Sequence, residues 1–136
     1  MNSIVTRGAA LLAALVVVAG CGGDDGGGGP TGPVAGPLRV VITSPNTDDG
    51  AVMFQVTGVV DSVAVPAGLT LYQSVPGPNV IRAIVVGNVS TGSNLLTLYV
   101  ADVGKASLIT PQLLQVAATG TYAQRSVGAY TLQVKK

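Results

Sequence analysis

From Leu38 onward, apolar and polar residues alternate with a period of two. Leu38, Val40 and Ile42 alternate with Arg39, Val41 and Thr43. Val52, Phe54 and Val56 alternate with Met53, Gln55 and Thr57. Val63 and Val65 form a third run, and Leu69–Ser74 a fourth. In Asn79–Val86, Ile81, Ala83 and Val85 lie opposite Arg82. Leu96, Leu98 and Val100 alternate with Thr97 and Tyr99, and Tyr130, Leu132 and Val134 with Thr131, Gln133 and Lys135. Strict alternation sends one set of side chains to one face of a pleated strand. The runs are rich in Val, Ile, Thr and Tyr, which suit half-buried strands. Between them stand turn residues: Ser44–Gly50, Pro66–Gly68, Pro76–Pro78, Gly87-Asn88, Thr91–Asn94 and Gly104-Lys105. The pattern predicts an all-β domain, a single antiparallel β-sandwich of about seven to nine strands over 38–136.

One stretch reads two ways. In Thr110–Ala118, Thr110 could cap a helix that begins at Pro111. Alternatively Leu114, Val116 and Ala118 line one face of a strand with Pro111 near its start. Position 113 is Leu and not Glu or Gln, so no capping box supports the helix, and the strand is the preferred reading.

The first thirty-seven residues follow a different pattern. Residues 1–20 hold a short basic start at Arg7 and an apolar run, Gly8–Ala19, ending in Val18-Ala19-Gly20-Cys21. The run falls short of the ~20 residues of a membrane span. An aliphatic residue and two small ones before Cys resemble the bacterial lipobox. The resemblance implies diacylglycerol attached to Cys21 and cleavage just before it; Val18 stands where Leu is commoner. A signal anchor with an incidental Cys is the competing reading. Residues 22–37, Gly-Gly-Asp-Asp followed by more Gly and Pro, read as a tether. A Gly-rich chain of that length spans about 20–24 Å. Its glycines lack the Lys-Ser/Thr of a phosphate-binding loop.

The order from Leu38 to Val134 resembles cohesin-type modules of immunoglobulin-like sandwich form. The likeness rests on Asp48–Val56, Val80–Val86 and Leu95–Asp102. It implies a non-catalytic module whose flat sheet face binds a partner. This chain departs from that family in being shorter and in carrying a lipid anchor.

Composition narrows the chemistry. The 136 residues carry a formal charge of +1 and contain no His. Trp and Glu are absent too, and Cys21 is the single cysteine, so no internal disulfide forms. Without His, ordinary zinc sites and His-dependent triads are excluded. Past Cys21 the basic residues balance the acids and are scattered, apart from Lys135-Lys136. Nucleic-acid binding needs clustered positive charge. Lys105 and Ser107 share a turn, and Asp61, Asp102 and Arg82 could converge in a pocket, but nothing local marks either as catalytic. The expectation is a non-enzyme. The best ligand candidate is calcium at Asn46, Asp48 and Asp49, where oxygen donors meet a Gly-ended turn. The spacing is not that of an EF-hand, and ordinary hairpin chemistry accounts for the same residues. No other cofactor is expected. Among the tyrosines, Tyr130 is phased with the core and Tyr99 is phased outward.

These readings lead to an expected function. The chain is a lipoprotein of the bacterial cell envelope that displays a module binding a protein or a glycan. An accessory subunit of an envelope assembly is the alternative. Gly22, not Asp, follows Cys21, which favours the outer membrane over the inner where both exist.

Overall fold

The computed structural model describes residues 32–136. Residues 1–20 and Cys21 lie outside the described residues, as do 22–31 of the stretch read as a tether. The described chain is an antiparallel β-sandwich of nine strands in two sheets. The first sheet holds β1 (Gly36–Thr43), β3 (Ser62–Ala64), β6 (Asn94–Val100) and β9 (Thr131–Lys135), in the order β3-β6-β1-β9. The second holds β2 (Asp49–Thr57), β4 (Thr70–Gly77), β5 (Val80–Val89), β7 (Thr110–Ala118) and β8 (Gln124–Arg125), in the order β4-β5-β2-β7-β8. Two short 3-10 segments, Val103–Leu108 and Val127–Ala129, join β6 to β7 and β8 to β9. No helix among the described residues is long and apolar enough to cross a membrane.

The alternating residues meet between the sheets as their phase requires. Leu38, Val40 and Ile42 of β1 are fully buried against Val52, Phe54 and Val56 of β2. Ala83 and Val85 of β5, and Leu96, Leu98 and Val100 of β6, complete the same core. Tyr130 joins it, while Tyr99 points outward.

The departures from simple alternation are bulges. Thr110–Ala118 is a strand, but Met53 pairs with Gln115 and Phe54 with Leu113, which leaves Leu114 as the extra residue. Leu113 therefore packs on the core in the role alternation gave to Leu114. In β6 a register shift after Val40 skips Leu95, which turns inward beside Leu96. Gly87-Asn88 is no turn. Both residues lie inside β5 and together oppose Gly50, as Asp49 pairs with Val89 and Ala51 with Val86. Gly87 has φ 150°, and a Cβ there would come within 2.6 Å of Leu69 Cδ2 and 2.8 Å of the Gly68 carbonyl. The turn expected at Pro76–Pro78 falls one step later, at Pro78-Asn79. There Asn79 takes the left-handed φ of 57° that closes β4 onto β5. Gly104-Lys105 belongs to the first 3-10 segment, whose first turn is capped by Asp102.

Candidate functional site

The β1–β2 loop brings Asn46, Asp48 and Asp49 together, as their spacing suggested, but around two residues from the far end of the chain. Asp49 is fully buried. Its Oδ2 accepts from Ser44 Oγ at 2.5 Å, and its Oδ1 from the Tyr130 hydroxyl at 2.9 Å. Asn46 Nδ2 donates to the same hydroxyl at 2.7 Å. Arg125, on the edge strand β8, lies over the loop. Its Nη2 donates to Asp48 Oδ1 at 2.7 Å, and its Nη1 stands 3.1 Å from Asp49 Oδ1. That second approach lacks the alignment of a hydrogen bond, so Nη1 contributes charge there and not a directed bond. The hydrogen bond to Asp48 raises the Arg125 pKa against the opposing pull of desolvation. Thr119 N–H donates to the Asp48 carbonyl at 2.8 Å and ties the loop to the end of β7.

Chemically, this arrangement is a satisfied network. Both oxygens of Asp49 and one of Asp48 are engaged, and the positive charge beside them is the guanidinium. A calcium ion bound here would have to displace that guanidinium. Among the described residues, no three His, Cys, Asp or Glu side chains gather as a metal-holding group. Asp61, Asp102 and Arg82 occupy separate surfaces. Asp61 lines a cleft with Val63, Val75 and Ile81, between the edge strands β3 and β4. Asp102 accepts from Gly104 N–H at 2.9 Å, and Arg82 Nη2 donates to Gln55 Oε1 at 3.2 Å. Lys105 and Ser107 are both exposed on the first 3-10 segment.

The outer face of the five-stranded sheet is the other concentration of side chains. Tyr72, Ile84, Met53 and Gln115 stand in one row across β4, β5, β2 and β7. The neighbouring rows run Thr70, Val86, Ala51, Ala117, Gln124 and Ser74, Arg82, Gln55, Gln112. From the β7–β8 connection Tyr122 reaches a hollow lined by Ala51, Met53, Ile84 and Ala117. Tyr72 and Tyr122 are 61% and 68% exposed, on opposite sides of this apolar strip. Glutamines surround it, and Arg82 is its only charge.

Tyr122 has φ 54°, a left-handed value uncommon for a bulky residue. The turn holds it there. Tyr122 N–H donates to the Ala118 carbonyl at 3.1 Å, and Ala118 N–H to the Ala123 carbonyl at 3.0 Å. Such a backbone costs of order 1–3 kcal/mol, and burial gives little of it back for so exposed a ring. Sequence phase could not find this residue, because Tyr122 lies in a turn where alternation does not apply.

The fold therefore defines a nine-stranded antiparallel sandwich with one amide-rich, tyrosine-flanked sheet face. No family model matches the chain, and neither a curated protein nor a solved structure matches it.

Proposed function

We propose that the chain is an exported lipoprotein of the bacterial cell envelope, anchored through Cys21, whose sandwich binds a neutral glycan on the outer face of its five-stranded sheet. The observation that carries this reading is the pair of exposed tyrosines, Tyr72 and Tyr122, flanking a strip rimmed by Gln55, Gln112, Gln115 and Gln124. Aromatic rings offer flat apolar surface at low entropic cost, and amides donate to and accept from hydroxyls. A face with Arg82 as its one charge suits an uncharged polyhydroxyl chain better than an acidic or basic protein. The strand carrying Tyr72 and β7, which leads into Tyr122, lie three strand spacings apart, about 14 Å, a span of several sugar rings. Use of a flat sheet face is also what the likeness to cohesin-type modules implies.

Calorimetric titration of the mature chain with a panel of neutral hexasaccharides tests this. Binding is expected, with Tyr72→Ala and Tyr122→Ala each weakening it about tenfold, or ~1.4 kcal/mol. No binding across the panel, or binding that neither variant changes, overturns the reading. A second reading, an accessory subunit of an envelope assembly, draws on β4. This edge strand has no charged residue and carries the exposed Val75, so it lacks the lysines that blunt edges elsewhere and has Pro76 as its edge-blunting residue. Val75→Lys would abolish assembly by strand addition and leave saccharide binding intact.

A further inference from the structure

Seven large apolar side chains are exposed among the described residues. Tyr72 and Tyr122 belong to the sheet face. The other five, Val34, Val59, Val75, Tyr99 and Leu108, lie toward one end of the sandwich. Val34 precedes β1, Val59 follows β2, and Leu108 precedes β7. Tyr99 is paired with Pro37 near the start of β1, and Val75 lies close to the β4–β5 hairpin. Val59 and Leu108, 67% and 70% exposed, flank a cleft of about 300 Å³ lined also by Ala101 and by the buried Val100 and Ile109.

The N-terminal stretch joins the domain at this same end, since the Val34 carbonyl accepts from Val103 N–H at 2.8 Å. Cys21 is thirteen positions before Val34. A chain of that length reaches at most about 45 Å when fully extended, and a Gly-rich coil of that length averages about 18–22 Å. The opposite end of the domain lies one strand length farther away, about 26 Å for eight residues. A lipid on Cys21 thus presents this apolar end to its bilayer first.

We infer that this end, centred on Val59 and Leu108, is a membrane-contact surface on which the domain rests against the headgroup boundary of the bilayer that holds Cys21. The inference rests on the lipid-anchored reading. Lys105 lies at the cleft, and Arg39, Lys135 and Lys136 reach toward the same end through the β1–β9 pairing. They complement anionic headgroups. Two carboxylates, Asp61 and Asp102, share the region and keep their negative charge, against the four cations Lys105, Arg39, Lys135 and Lys136. The patch is too small to hold a protein on lipid by itself. Tethering supplies what it lacks, because a second contact on an anchored molecule works at high effective concentration.

The test uses the full chain, made in bacteria and reconstituted in vesicles of phosphatidylethanolamine and phosphatidylglycerol containing nitroxide-labelled phospholipid. Mass spectrometry of the N-terminal peptide reads acylation of Cys21. Fluorophores are placed at Leu108→Cys, Val59→Cys and, at the far end, Thr47→Cys; acylation keeps Cys21 from being labelled. The expected result is an acylated Cys21 with severalfold stronger lipid quenching at positions 108 and 59 than at 47. Acylation with equal quenching at all three overturns the contact surface and leaves the anchor standing. Self-quenching between labels at 108, without lipid quenching, assigns the patch to a second copy of the chain and also overturns it. A non-acylated Cys21 overturns both the anchor and the surface.

Discussion

The network at Asp49 shows what a buried charge requires. Asp49 is withdrawn from water, so its carboxylate needs donors on each oxygen and a counter-charge close by. Ser44, Tyr130 and Arg125 provide them. Asp49→Ala leaves these donors without their acceptor. It is expected to cost about 3–5 kcal/mol, the range for removing one member of a buried ion pair, read from urea unfolding. Tyr130→Phe removes one hydroxyl and strands the Asn46 amide, at about 1–3 kcal/mol. The raised pKa of Arg125 means that its stabilising charge is fully present below the ordinary guanidinium value and is lost only as pH rises through the still higher value it has in the folded chain, so no loss is expected between about pH 5 and 10. Calcium gives a separate check. A site at 100 times its Kd would stabilise the fold by about 2.7 kcal/mol. With the guanidinium already beside both carboxylates, Tm is expected to be the same in calcium and in chelator. A shift of several degrees would make Asn46, Asp48 and Asp49 a metal site after all. The sequence made this cluster visible only in part. Asn46, Asp48 and Asp49 are neighbours and announce themselves. Arg125 is separated from Asp48 by 77 positions, and Tyr130 from Asp49 by 81, with no local pattern to connect them.

At the level of strands, alternation was sufficient to predict which faces of β1, β2 and the main part of β5 are buried. It failed wherever the register slips. A slip depends on the partner strand, and one chain segment carries no record of its partner. Leu114 and Leu113 look equivalent in sequence, yet the β2–β7 pairing makes Leu114 the odd residue and sends Leu113 to the core. Gly87 looked like a turn residue because glycine is common in turns. In fact its missing side chain lets the β3–β4 connection pass close over a bulge. Gly87→Ala is therefore expected to combine backbone strain with a clash against Leu69 and Gly68. The cost is about 2–5 kcal/mol, left-handed strain plus overpacking. Gly92→Ala serves as its control. Gly92 has φ 84° but open space where a Cβ would go, so it should lose only the strain, about 1–2 kcal/mol. Equal thermal destabilisation of the two variants would show that the close approach at Gly87 contributes nothing.

Over the whole molecule, the two exposed apolar regions lie on differently oriented surfaces. The tyrosine face runs along the flank of the five-stranded sheet, parallel to the strands. The Val59–Leu108 patch caps the strand ends. If the cap rests on lipid, the strands stand upright and the flank faces sideways, clear of the membrane and open to a polymer lying alongside it. Neither surface then shields the other, and substitutions in one should not be felt in the other. Well-separated sites without shared partners behave additively. Tyr72→Ala combined with Tyr122→Ala should weaken saccharide binding about a hundredfold and leave the lipid quenching at position 108 as it was. Val59→Glu combined with Leu108→Glu, read from a label at Val34→Cys, should lower lipid quenching and leave saccharide affinity unchanged. Should the glutamates weaken saccharide binding in vesicles but not in detergent, orientation on the membrane would itself govern access to the sheet face. Weakening in both settings would place the two surfaces within one binding site and overturn their separation.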